Sequence, residues 1–108
     1  MNSMRKLQFN WANIDRIPEN VIGIYIFWRG PICLYVGQAK EQDLKKRLNQ
    51  HYRSCHNYWL SLWFQSGHKI LFSYEAVSNK ASIDAKERNR IRSLKPLTNM
   101  THNRRKGE

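Results

Sequence analysis

The stretch Val21-Ile22-Gly23-Ile24-Tyr25-Ile26-Phe27-Trp28-Arg29-Gly30-Pro31-Ile32-Cys33-Leu34-Tyr35-Val36-Gly37 decides the fold. Residues 21–28 are β-branched or aromatic almost throughout, which is the composition of a strand. Arg29-Gly30-Pro31 reads as a turn, and residues 32–37 read as a second strand. A three-residue loop pairs Trp28 with Ile32, Phe27 with Cys33, Ile26 with Leu34 and Tyr25 with Tyr35. That register sets the two tyrosines opposite each other on one face of the hairpin. A slip of one residue staggers them but keeps them close.

C-terminal to the hairpin, residues 43–53 read as a helix with Asp43 as N-cap. Leu44, Leu48 and Tyr52 recur at helical spacing and form its expected buried stripe. Arg47 and His51, four residues apart, lie together at the border of that stripe. Residues 57–66 form a second helix, capped by Asn57 and stopped at Gly67. It is apolar nearly all round and is expected to be a core element. Residues 70–77 form a third strand. Ser82 caps a last helix that runs to about Leu94, because Lys95 precedes Pro96 and that disfavours helical continuation. Ile83, Glu87, Ile91 and Leu94 fall within about 80° of one another on this helix. Glu87 therefore lies within an apolar stripe, which is costly unless the carboxylate is paired, with Arg47 or Lys45 as candidates, or bound to a cation. Residues 1–20, with Phe9, Trp11, Ile14 and Ile17 ahead of Pro18, read as a lead-in packed loosely on the core. Residues 100–108, with Arg104-Arg105-Lys106, read as a frayed basic tail. The expected fold is α+β: one domain over residues 21–99, with a small central three-stranded antiparallel sheet flanked by helices.

The chain has 108 residues, enough for one compact domain. Apolar residues make up 41% and charged residues 25%, which argues against disorder. There is no run of 18 or more apolar residues and no secretory signal, so a membrane span is not expected. Cys33 and Cys55 form no CxxC and read as reduced thiols of a cytoplasmic protein. Charge is the informative quantity: 19 Lys and Arg against 8 Asp and Glu leave a net +11. Nine basic and four acidic residues fall in the first 54 positions, and ten and four in the remainder. A body that is basic along its whole length attracts polyanions, and nucleic acid is the commonest of these in the cytosol.

The order Gly23-Ile24-Tyr25, Tyr35-Val36-Gly37, Leu44-Lys45-Lys46-Arg47-Leu48 with His51, then Glu87, Lys95-Pro96 and Asn99, resembles the GIY-YIG nuclease family. The Glu87, Lys95-Pro96 and Asn99 part is similar to the end of the nuclease domain in bacterial excision-repair incision proteins. Small stand-alone proteins of the family are also similar. Any one element is weak; four in order, on the element types the periodicity assigns, are specific. One position departs from part of the family: Gln38 follows Tyr35-Val36-Gly37 where some members carry Lys. Such a Lys would help lower the pKa of a nearby tyrosine.

The resemblance implies hydrolysis of a DNA phosphodiester with one divalent cation, Mg²⁺ or Mn²⁺, in each active site. Glu87 is then the metal ligand. Arg47 is a phosphate clamp, suited by its permanent forked charge. His51 contacts the same phosphate or assists proton transfer. Tyr25 and Tyr35 are candidate water activators, provided that a cation lowers a pKa that is ordinarily near 10. Gly23 and Gly37 shape the site, Gln38 supports it, and Asn99 holds the local backbone or contacts phosphate. Glu75 and Asp84 are rival carboxylates that match no motif. Lys45, Lys46, Arg53, Arg88, Arg92 and Lys95 are candidate DNA-contacting cations. His51, Cys55 and His56 invite a zinc reading but lack a fourth ligand at sensible spacing. The competing function is a catalytically inactive nucleic-acid-binding module of the same fold. Almost nothing lies outside the catalytic region, so target choice would rest on the domain's own loops, a homodimer partner or a separate recognition protein.

Overall fold

A computed structural model describes residues 5–99. The expected tail at 100–108 lies outside the described residues. The elements in order are β1 (Leu7–Gln8), α1 (Trp11–Asp15), β2 (Gly23–Arg29), β3 (Ile32–Ala39), α2 (Leu44–Arg53), α3 (Tyr58–Phe64), β4 (Leu71–Ala76) and α4 (Ile83–Leu94), the last preceded by a 3₁₀ turn (Lys80–Ser82). The sheet has four strands in the order β1-β4-β2-β3 and is antiparallel throughout, where three strands were expected. The extra strand is the two-residue β1, which pairs Leu7 with Phe72 and Gln8 with Leu71. The N-terminal segment is not loosely attached, because Ile14 and Ile17 are buried in the core beside Leu44, Leu48 and Phe72.

The hairpin register differs from the expected one. The connection is two residues, Gly30-Pro31, rather than three, because Arg29 pairs with Ile32 and Trp28 therefore with Cys33. A bulge between Phe27 and Trp28 then adds a second shift, so Phe27 faces Tyr35 and Tyr25 faces Gly37. The extra residue in β3 also inverts the alternation of side chains along that strand. Cys33 and Val36, three positions apart, consequently share one face with Ile24 and Ile26, packed against Ile83 and, less deeply, Ile91 and Leu94 of α4. Tyr25, Phe27, Leu34 and Ala39 belong to the opposite core, with Ile14, Leu44, Leu48 and Leu60 from the three other helices. The sheet is thus a layer between α4 and the α1–α3 group.

Helix α2 forms as its sequence dictates: Asp43 accepts a capping bond from the Lys46 amide at 2.9 Å and a second from the Asn20 amide at 2.8 Å. Its buried positions are Leu44, Leu48 and His51, whereas Tyr52 is 48% exposed. The stripe therefore runs i, i+4, i+7 from Leu44 rather than i, i+4, i+8. Helix α3 is capped by the Asn57 side chain at the Leu60 amide. It is not wholly interior: Leu60 is buried, but Tyr58, Trp59 and Leu62 are exposed. Ser82 precedes α4 without capping it through its side chain. The helix ends at Lys95, in the left-handed conformation with φ 50°, where its amide reaches the Ile91 carbonyl. Residues 97–99 then run along the free edge of β3. The Leu97 and Thr98 amides bond the Cys33 and Leu34 carbonyls, and the Thr98 hydroxyl adds a 2.7 Å bond to Leu34.

Candidate active site

Strand β2 and helix α2 bring the first group of site residues together. Tyr25, Phe27 and His51 pack as three mutually edge-on rings. The Tyr25 hydroxyl lies 2.7 Å from His51 Nε2 and accepts a bond from Arg47 Nε at 3.2 Å. Tyr35 sits diagonally across the hairpin, its ring centroid 6.1 Å from that of Tyr25. The tyrosines are neighbours, as expected, but through a different register. What brings them together is Gly37, directly opposite Tyr25. A Cβ at residue 37 would stand 2.5 Å from both Cζ and the hydroxyl of Tyr25 and 2.8 Å from the Tyr35 ring. Glycine leaves the room into which the phenol end of Tyr25 projects. At Gly23 the obstacle is backbone: a Cβ there would collide with the Glu75 carbonyl of β4.

His51 is buried, with 6% of its surface exposed, rather than standing at the core border. Burial, then the nearby Arg47, lowers its pKa to about 3, so the imidazole is neutral at physiological pH. Its other nitrogen, Nδ1, lies 3.5 Å from the sulfur of Cys55. The tyrosines also depart from the simplest electrostatic expectation. Burial raises Tyr25 well above the ordinary tyrosine value, Tyr35 adds to that rise, and Arg47 opposes it. Tyr35 is raised too, first by burial, with Glu87 adding and Arg47 opposing. The arginine is present, but desolvation wins, and both phenols stay protonated in the protein alone.

The acidic part of the site comes from α4, on the other side of the sheet. Gln38, near the end of β3, reaches across to it: Nε2 donates to Glu87 Oε1 at 2.6 Å and to Asp84 Oδ1 at 3.0 Å. Glu87 takes the Gln38 amide as a hydrogen-bond partner, where its place in the apolar stripe led to Arg47 or Lys45 as candidates. Lys45 pairs with Asp15 at 3.8 Å, and Glu87 is tied to the sheet by an amide. The Glu87 carboxylate is still near enough to Tyr35 to raise its pKa, so β3 links the two halves of the site. Asp84 is held by Lys40 at 3.0 Å. Glu75 is buried on β4 and engaged by Arg90 at 2.7 Å and Lys86 at 3.7 Å, a structural role that removes it as a rival ligand.

Asn99 is buried and faces β3. Its side chain accepts from the Val36 amide at 2.9 Å and donates to the Val36 carbonyl at 3.0 Å. It imitates a neighbouring strand and holds the backbone between Tyr35 and Gly37, the first of the two roles considered for it. Of the candidate DNA-contacting cations, Lys46, Arg53, Arg88, Arg92 and Lys95 are exposed, and Lys45 is partly covered.

Among the described residues no three His, Cys, Asp or Glu side chains form a cluster that could enclose an ion. The zinc reading of His51, Cys55 and His56 has no such cluster behind it. The donors at the β3–α4 junction are hard oxygens. Glu87 and Asp84 flank Gln38, whose buried Oε1 has no hydrogen-bond partner. This set fits a hard cation that keeps most of its own water, and Mg²⁺ and Mn²⁺ are such cations. Sequence reasoning missed Cys55. Its i+4 relation to His51 was visible but was considered only as a metal pattern. Nothing in the sequence marked Gln38 as the bridge to α4.

A family model described as the GIY-YIG catalytic domain matches residues 21–103, most of the chain, and the protein belongs to the GIY-YIG family. This is a nuclease family, and the small α+β architecture agrees with it. No curated protein matches the sequence significantly. No helix among the described residues is long and apolar enough to cross a membrane.

Proposed function

We propose that the protein is a divalent-metal-dependent DNA endonuclease that hydrolyses a phosphodiester bond. The observation that supports this most directly is the convergence of His51 and Arg47 on one atom, the Tyr25 hydroxyl, at 2.7 and 3.2 Å. A buried phenol held between a neutral imidazole and a guanidinium is set up to exchange a proton. The Tyr25 oxygen takes a proton from the attacking water while its own proton passes to Nε2 of His51. No free phenolate is required, which suits a phenol whose pKa is raised. Arg47, partly exposed and permanently charged, grips a phosphate oxygen. Tyr35 orients the water or the phosphate from the neighbouring strand. Glu87 is the residue that would hold one Mg²⁺ or Mn²⁺ ion per site, steadied by Gln38. When bound, the ion offsets the charge that builds on the phosphate.

DNA is the proposed partner, drawn by the net charge of +11 and contacted by Lys45, Lys46, Arg53, Arg88, Arg92 and Lys95. Affinity is then expected to fall steeply with added salt as counterions are released. One site nicks one strand, so cutting both would take a homodimer, a second encounter or a recognition protein that presents the second strand. The raised pKa of both phenols is the one observation that favours an inactive binding module.

Plasmid nicking separates these readings. The wild type is expected to nick with Mg²⁺ or Mn²⁺, and Glu87→Gln to lose at least about 100-fold of the rate. Equal cleavage by both proteins would overturn the role of Glu87. Absence of cleavage by the wild type on duplex, branched and single-stranded DNA would select the binding module.

A further inference from the structure

The hydrogen bonds around Tyr25 continue past His51 into a residue with no assigned role. Arg47 Nε lies 3.2 Å from the Tyr25 hydroxyl, which lies 2.7 Å from His51 Nε2. His51 Nδ1 lies 3.5 Å from Cys55 Sγ, and the thiol in turn donates to the Asn57 carbonyl at 3.6 Å. The two ends of this chain have fixed character: a guanidinium can only donate and a backbone carbonyl can only accept. Those ends dictate every proton between them. The thiol S–H is directed at the Asn57 carbonyl, so the sulfur presents a lone pair to Nδ1. The imidazole therefore carries its proton on Nδ1 and leaves Nε2 bare, and Nε2 accepts the Tyr25 hydroxyl. Burial raises Cys55, so the thiol keeps its proton at neutral pH.

We propose that Cys55 is a positioning residue that fixes His51 in its Nδ1–H tautomer, so that Nε2 is the atom that receives the proton of Tyr25. The arrangement deepens the nuclease reading, on which the purpose of that proton transfer rests. Asn57 takes part twice over. Its side chain caps α3 at the Leu60 amide while its carbonyl anchors the thiol, which ties the tautomer to the α2–α3 junction. The opposite tautomer would turn the thiol proton onto Nδ1 and forfeit the Asn57 bond. It would also aim two donors, Arg47 and His51, at the same phenol oxygen. Nε2 would then be unable to accept a proton.

The tautomer is read directly by ¹⁵N–¹H correlation of the imidazoles in ¹⁵N-histidine-labelled protein without DNA. His51 is assigned by the signal lost in His51→Gln. The expected spectrum shows Nδ1 protonated and Nε2 bare. Cys55→Ala is expected to lower the Nδ1–H population several-fold and to slow nicking by roughly tenfold or more, as a wrong tautomer does in other His-dependent hydrolases. Cys55→Ser, which restores an acceptor, is expected to recover both. An Nε2–H tautomer in the wild type, or an unchanged tautomer in Cys55→Ala, would overturn the proposal. Because the spectrum needs no cleavage, a reversed tautomer in a protein that still nicks refutes the role of Cys55 and leaves the nuclease reading intact. A correct tautomer in a protein that never nicks does the reverse.

Discussion

On the face of the sheet covered by α2, the polar groups Tyr25, His51 and Cys55 are neutral and joined end to end by hydrogen bonds. On the face covered by α4, the carboxylates Glu75, Asp84 and Glu87 are each held by a cation or an amide. The difference follows from what each group does when water is removed. A phenol, an imidazole or a thiol escapes the cost of burial by staying uncharged, and their pKa values move in the directions that keep them so. A carboxylate turned inward instead recruits donors, as Glu75 of β4 does with Arg90 and Lys86. Proton exchange thus belongs to one side of the sheet and charge anchoring to the other, with β3 between them.

The two glycines that flank the Tyr25 strand pairings give the sharpest test of this division. Gly23→Ala meets backbone on β4 that cannot move aside. It is expected to cost about 3 kcal/mol or more in urea unfolding. Gly37→Ala meets the tips of Tyr25 and Tyr35, which can shift. A smaller loss of about 1–3 kcal/mol is expected, together with loss of nicking. If Gly37→Ala nicks normally, the crowding around the Tyr25 hydroxyl has no bearing on the chemistry. Asn99→Ala leaves the Val36 amide and carbonyl without their side-chain partners, and a loss of about 2 kcal/mol is expected.

Acid sharpens the contrast between neutral and charged faces. In the unfolded chain His51 takes up its proton near its ordinary value of 6.5, whereas in the folded protein it does so only near 3. Between these values the unfolded state binds more protons, so stability falls as pH drops from about 6.5 toward 3. The slope from this one group reaches about 1.4 kcal/mol per pH unit. Unfolding free energy measured across that range should flatten by this amount in His51→Gln; an unchanged slope would mean that the imidazole is not held neutral. The smallest effect is expected for Asp84→Asn. It weakens only exposed contacts, those with Lys40 and with the Gln38 amide, and should leave stability unchanged within error in the same unfolding assay.

Much of this was readable from the sequence where the signal is local. Asp43 capping α2, Asn57 capping α3 and the end of α4 at Lys95 each depend on a few adjacent residues. The approximate strands depend on composition, and they too are where expected. What escaped depends on partners distant in the chain. A two-residue strand such as Leu7–Gln8 has no periodicity, and it exists because β4 offers an edge. The two-residue turn at Gly30-Pro31 and the bulge after Phe27 together moved every pairing from Ile32 to Gly37. His51 and Tyr52 are adjacent on the same helix, and it is His51 that turns inward, onto the Tyr25 hydroxyl and the rings of Phe27 and Tyr35. The residue types of the site were legible because they match a family motif. Their protonation was not, since the balance of burial against Arg47 can be judged only from their surroundings.

The strip formed by residues 97–99 has a bearing on how the protein can fail. Through the bonds to Cys33, Leu34 and Val36 it occupies the outer rim of the hairpin strand that carries Tyr35 and Gly37. A version shortened after Pro96 would leave that rim open to any passing ribbon of polypeptide. Its characteristic defect would be self-adhesion into insoluble material, with the helices still formed, so recovery from the soluble fraction would report on this strip before any assay of cleavage could.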